Sequence, residues 1–146
     1  MPALHSFDYA IVRVVPRVER DEFVNAGVIL FCRTLDFLEA RIELDRRRLA
    51  ALASDVDPAE VERYLASIPV VCAGGEAAGP LGKLSPSERF NWLVAPSSSL
   101  IQTSPVHAGL CADPRAALEH LLETAVRLPP AGPAESEPGR GRVRGR

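Results

Sequence analysis

The segment from Gln102 to His107 concentrates side chains that could do chemistry: an amide, two hydroxyls and an imidazole within six residues. An imidazole can act as a general acid or base near neutral pH, which makes His107 a catalytic candidate. Ser104 and the serines at 97–99 could supply a nucleophile. No Gly-x-Ser-x-Gly elbow is present to activate one of them, and serines beside a proline are typical of turns. Gln102, Ser104 and His107 are therefore candidate binding residues, and no catalytic motif is complete.

Three consecutive arginines, Arg46, Arg47 and Arg48, form a compact basic cluster. They stand where a short helix is predicted to begin, and positive charge is unfavourable at a helix start. This mismatch makes the cluster a candidate anion-binding site. The alternative interpretation is a solvated helix start that binds nothing.

Other common chemistries lack their motifs. The glycines at 74, 75, 79 and 82 match neither a phosphate-binding loop nor a dinucleotide fingerprint, although Lys83 follows the last of them. The three histidines are scattered without metal-ligand spacing, so no metal and no cofactor is expected. Cys32, Cys72 and Cys111 are odd in number and far apart, which favours buried free thiols in a reducing cytoplasm.

Charge is distributed unevenly along the chain. The formal net charge is −2, but the segment after Leu128 holds four arginines and two glutamates, so the preceding residues carry −4. A mildly acidic body argues against broad contact with a phosphate backbone, and nucleic-acid binding rests only on the Arg-Gly pattern of the tail. No apolar run approaches the ~20 residues of a membrane helix, and no secretory signal is recognisable. We therefore expect a cytoplasmic protein with no membrane contact.

Three apolar segments predict an antiparallel meander: Phe7–Val15, Phe23–Cys32 and Phe37–Leu44. Strict alternation along them gives one wholly apolar face, which helices must cover. The other face carries both polar and apolar residues. On this face the alternation places Arg13 and Glu43 on either side of Asn25. It also places Arg41 opposite Gly27. This polar row predicts a binding surface that includes Arg13, Asn25 and Arg41.

Helix starts are marked by Asp57-Pro58, Ser85-Pro86 and Asp113-Pro114, with a shorter helix over 46–53. One or both of the extended segments 99–103 and 106–110 should add to the sheet. We predict an α+β domain over residues 1–128, with an antiparallel sheet of four to five strands and helices packed on one face. Residues 129–146 are rich in Pro, Gly, Glu and Arg and predict a disordered tail.

The patterns YAIVRVVPRVERDEFVNAGVILFC, FLEAR and FNWLVAPSSSLIQTSPVHAGL, followed by an Asp-Pro helix, resemble the bacterial family known as domain of unknown function 3037. The resemblance extends over about residues 7–128. It implies a domain with no established activity. It also implies a partner, because such genes often stand beside one for a HipA-like kinase.

Two functional hypotheses follow from these observations. In the first, the chain is an accessory or binding module whose mixed sheet face and 102–107 segment contact a protein partner or an anionic ligand. In the second, it is an enzyme acting on a phosphate-bearing or nucleic-acid substrate, with arginines holding the anion and His107 as general acid or base. A homodimer formed through the mixed face is a further alternative, because half-apolar sheet surfaces are seldom left exposed to water.

Overall fold

The computed structural model describes residues 2–129. It contains five strands: β1 His5–Val14, β2 Val24–Cys32, β3 Phe37–Ile42, β4 Ile101–Thr103 and β5 His107–Cys111. The helices are α1 Arg46–Leu52, α2 Pro58–Ala73, α3 Pro86–Leu93 and α4 Pro114–Leu121, and α4 continues into a π-helical turn, Leu122–Val126. Short 3₁₀ segments cover Val18–Arg20, Arg33–Leu35 and Glu76–Lys83. The predicted disordered tail lies, apart from Pro129, outside the described residues.

All strand pairs are antiparallel, in the order β3-β2-β1-β4, and β5 pairs with the other half of the β1 edge that β4 occupies. The predicted α+β class and the antiparallel sheet are confirmed. β1 and β2 are both interior strands, because each of them pairs with neighbours along both of its edges. Both extended segments after α3 join the sheet, as predicted.

The helix starts are those that the sequence signals. Asp45 accepts hydrogen bonds from the backbone of Arg47 and Arg48, which caps α1, and Ser85 with Glu88 forms a capping box on α3. α2 runs to Ala73 and contains Pro69. A proline inside a helix removes one backbone donor, yet α2 continues because Ile68, Val71 and Cys72 are buried in the core.

The sheet is covered by helices on both faces. On one side, which we call the α2 face, Val12, Ile29 and Phe31 pack with buried residues of α1, α2 and α3. On the other, the α4 face, Val28 and Leu30 pack with Leu118 of α4 and with the π-helical turn. The prediction that helices occupy one face therefore differs from the structure in one respect, because the last helix lies on the opposite side.

A β-bulge in β2 explains the difference. Val12 pairs with Gly27 and Arg13 pairs with Asn25, so Ala26 is an extra residue on β2. Strict alternation places Ile29 and Phe31 beside Asn25, whereas the bulge moves Val28 and Leu30 to that side. The supposedly mixed face is therefore apolar along β2, and it requires a covering helix of its own. The predicted register of β3 is also wrong by one residue, because Arg41 pairs with Val28 instead of Gly27, and Glu43 bonds to Ala26 instead of facing Asn25.

Among residues 2–129, none of the helices combines the length and apolar composition that crossing a membrane requires. The three cysteines are free and buried, as the sequence predicted. Burial raises the pKa of the Cys72 thiol to about 12, so this side chain is protonated at neutral pH and acts as part of the core.

Gly27 is required where the bulge meets β3. A Cβ atom at this position would lie 2.7 Å from the carbonyl oxygen of Arg41 and 2.6 Å from Cδ1 of Ile42. We expect Gly27→Ala to lower the free energy of unfolding by about 1–3 kcal/mol, because backbone must shift to admit the methyl group. Urea denaturation followed by circular dichroism measures this change. An unchanged midpoint would show that β3 can move away freely.

Candidate functional site

The C-terminal helix occupies much of the polar row that the sequence predicted. Three ion pairs join β3 and the residue after it to this helix: Glu39 with Arg115, Arg41 with Glu119, and Glu43 with Arg127. Arg127 also contacts Glu119 and Glu123, so it links the sheet edge to the helix surface. Arg41, a predicted binding residue, thus already has an acidic partner within the chain.

Asn25 takes part in the same attachment. Its Nδ2 donates a hydrogen bond of 3.0 Å to the carbonyl oxygen of Ala125, in the π-helical turn. Its Oδ1 is buried and has no hydrogen-bond partner among residues 2–129. The amide side chain holds the end of the helix on the sheet and leaves one acceptor unused.

Arg13 lies directly opposite Asn25, as predicted, and opposite Gln102 on its other side. Its guanidinium carbon lies 4.1 Å from the centroid of the Phe23 ring, a cation–π contact. Its Nε is buried without a hydrogen-bond partner, and no carboxylate in residues 2–129 forms an ion pair with it. Arg13 is therefore a partly buried and oriented cation whose charge is uncompensated there.

Sequence reasoning missed Phe23 as the support for this guanidinium. The signal was present, because residues two apart on a strand share a face and Phe23 stands two residues before Asn25. Its ring is 40% exposed, which leaves an aromatic surface beside the arginine.

Gln102 and Ser104 have local hydrogen-bond partners. Nε2 of Gln102 donates to the carbonyl oxygen of Ser99 at 2.8 Å. Ser104 is buried, and its Oγ accepts from the backbone N–H of Ile11 at 2.9 Å while donating to the Pro105 carbonyl. The Ser104 N–H also donates to the Ile11 carbonyl at 2.8 Å. Ser104 thus joins β1 to the connection between β4 and β5.

His107 is exposed at the start of β5, opposite Tyr9, and the two rings lie 5.4 Å apart between centroids. Tyr9 and Arg13 are on the same face of β1, four residues apart, which corresponds to about 13 Å along a strand. The imidazole and the guanidinium are therefore neighbours on one surface without direct contact. The role of His107 as general acid or base stays a prediction.

The basic cluster at the start of α1 does not converge on one point. Arg46 forms an ion pair with Glu62, and Nη1 of Arg48 donates to the carbonyl oxygen of Val126 at 3.0 Å. Arg48 thereby satisfies a carbonyl at the end of the π-helical turn, where a cation is favourable. Arg47 lies exposed between them. The anion-binding role of Arg46, Arg47 and Arg48 stays a prediction, with two of the three guanidiniums engaged within the chain.

We define the open strip as the part of the α4 face beside the helix, over β1 and its outer neighbours. Its members are Tyr9, Arg13, Phe23, Gln102 and His107. Aromatic rings, a cation, an amide and an imidazole line this strip, and all five side chains are partly or fully exposed. Tyrosine and arginine are the residue types that contribute most to binding at protein interfaces.

Residues 9–126 match the model of a family described as a protein of unknown function, DUF3037. The chain belongs to this family. No curated protein and no solved structure matches the chain.

Ser104 and the exposed serines provide a matched test of structural role. We expect Ser104→Ala to lower the free energy of unfolding by about 1–3 kcal/mol, because it leaves the buried N–H of Ile11 without a partner. Ser97→Ala, on an exposed loop, serves as the control and should change stability by less than about 0.5 kcal/mol. Equal effects of the two substitutions in urea denaturation would contradict this assignment.

The attachment of the helix should also weaken in acid. Hydrogen bonds from Arg127 lower the pKa of Glu43 below the ordinary glutamate value of 4.5. A carboxylate with a lowered pKa stabilises the folded state at pH values above its unfolded pKa. This stabilisation is lost as the pH falls through the folded pKa. Arg127→Gln should therefore lower the free energy of unfolding at neutral pH, and lower it less at an acidic pH below the folded pKa of Glu43, where this carboxylate is protonated in both proteins. Urea denaturation of both proteins at the two pH values measures this, and a constant difference would contradict it.

Proposed function

We propose that this domain is a binding module that holds an acidic side chain of a partner protein against Arg13 on the open strip. The observation that carries the proposal is the state of Arg13. It is partly buried, its guanidinium rests on Phe23, and it has no carboxylate partner within residues 2–129.

The contrast with other arginines supports this choice. Arg17, Arg20, Arg41, Arg46, Arg115 and Arg127 all have acidic partners within the chain. An oriented but uncompensated guanidinium is a favourable site for a carboxylate, since little side-chain entropy remains to be lost on binding. The neighbouring rings of Tyr9 and Phe23 add apolar area around the charge, which suits a protein surface.

A protein partner fits this site better than a nucleic acid or a small anion. The net charge of −4 before the tail would repel a phosphate backbone. Outside Arg13, the strip contains no second arginine or lysine to share a phosphate. We include in the proposal a location in the cytoplasm, which the three free buried cysteines support, and a bacterial source, which the family resemblance implies.

The test compares wild type with Arg13→Gln and with Arg63→Gln, a control that removes one positive charge from an exposed position on α2. Each tagged protein is used to capture partners from native cells, and a captured protein is then purified and titrated by calorimetry. The HipA-like kinase implied by the family resemblance is titrated in parallel. We expect Arg13→Gln to weaken binding of the captured protein at least about tenfold, and Arg63→Gln to leave it unchanged.

Two results would contradict the proposal. One is a partner that binds wild type and Arg13→Gln equally. The other is a wild-type protein that retains no partner but melts at higher temperature with inorganic phosphate, which would favour a small anion as the ligand. Circular dichroism of each variant verifies that its fold is retained.

A further inference from the structure

The outer edge of β3 is a second surface, separate from the open strip. β3 is the last strand in the sheet order, and no strand among residues 2–129 pairs with its outer side. The N–H of Glu43 donates to the Ala26 carbonyl, so odd-numbered residues direct their backbone groups toward β2. Backbone groups alternate along a strand, and those of Leu38, Ala40 and Ile42 therefore face outward.

This edge opens into a cleft of about 610 Å³. β3 and the residue before it supply one wall through residues 36–40. The rest is lined by Pro69, Cys72 and Ala73 of α2, Pro86 and Arg89 of α3, and Arg115 of α4. Within residues 2–129, the helices pack on the two faces of β3, with α2 and α3 on one face and α4 on the other. An extended chain can therefore approach the outward backbone groups.

The sequence of β3 is complementary to itself when two copies run antiparallel. With Ala40 opposite Ala40 of a second copy, Glu39 lies opposite Arg41 and Leu38 lies opposite Ile42. The charged pairs then fall on the α4 face and the apolar pairs on the α2 face. Ala40, Leu38 and Ile42 are also the residues whose backbone groups face outward, so this register places donors opposite acceptors.

We propose that two copies of this chain join β3 to β3 across a two-fold axis, which extends the sheet through both domains. The argument for a second copy, as opposed to an unrelated peptide, is this charge and backbone complementarity about Ala40. Glu39 and Arg41 keep Arg115 and Glu119 as partners within the chain, and each contact between the copies would bring a second opposite charge beside them. A two-fold axis requires that each residue contact its counterpart reciprocally, and the Glu39–Arg41 pairs meet that condition twice. The other free edge, formed by β4 and β5, carries no such pair of opposite charges.

The test is the oligomeric state of the full chain, measured by sedimentation equilibrium over a wide range of concentrations. We expect a monomer–dimer equilibrium, because a short strand pair buries little surface. Ala40→Pro removes the outward N–H without touching the β2 pairing, and proline is tolerated on an edge strand in that position. We expect Ala40→Pro to be monomeric while retaining its circular dichroism spectrum, and Ala40→Ser to dimerise like wild type.

Charge exchange tests the register. Glu39→Arg alone and Arg41→Glu alone place like charges opposite each other, and each should weaken the dimer at least about tenfold. The double variant should recover most of the loss. Arg115→Ala and Glu119→Ala break the ion pairs within the chain, and they serve as controls that leave the strand pairing in place.

Two outcomes would overturn this proposal. The first is a wild-type protein that stays monomeric at every concentration. This outcome includes a protein whose β3 edge binds only an extended peptide from another protein. The second is a dimer that Ala40→Pro and the single charge reversals leave intact, which would place the contact on another surface. Neither outcome bears on Arg13, so the two proposals fail independently.

Discussion

The extra residue at Ala26 is the constraint on which the structure depends. By pairing Val12 with Gly27 and Arg13 with Asn25, the bulge reverses the sides to which the second half of β2 directs its side chains. Val28 and Leu30 then form, with Phe7 and Ile11, a second apolar surface. Burying that surface requires the C-terminal helix, and the helix in turn covers the polar groups of β3. One inserted residue thus determines the layers of the fold and limits the candidate site to the strip along β1.

Polar contacts, in addition to buried apolar side chains, hold the C-terminal helix on the sheet. Asn25 and Arg48 bind the last carbonyl groups of the helix, and Arg127 connects three carboxylates. Each exposed pair contributes little by itself, but several share partners and fix the helix in one position. Arg13 lies on the same surface but forms no ion pair with the residues of this network. Its charge can therefore be paired by a group from outside the domain.

Much of the fold could be predicted from the sequence, and the site only in part. Strand segments, helix caps and the pairing of Arg13 with Asn25 follow from alternation and from Asp-Pro and Ser-Pro signals, which are local. The bulge has no local signal that distinguishes Ala26 from an ordinary strand residue, so the sides of Ile29 and Phe31 were assigned wrongly. Ser104 illustrates the same limit, because its hydrogen bonds to Ile11 depend on a contact between residues 93 positions apart.

The long sequence separation of the helix contact has a consequence for synthesis on the ribosome. Asn25 meets Ala125, 100 positions later, and the apolar surface of Val28 and Leu30 has no cover until that part of the chain emerges. Chains are made from the N-terminus, so the residues of β1, β2 and β3 are synthesised some seconds before the helix that covers their α4 face. The segment that forms β1, β2 and β3 therefore has to keep these apolar side chains from aggregating until α4 has been synthesised.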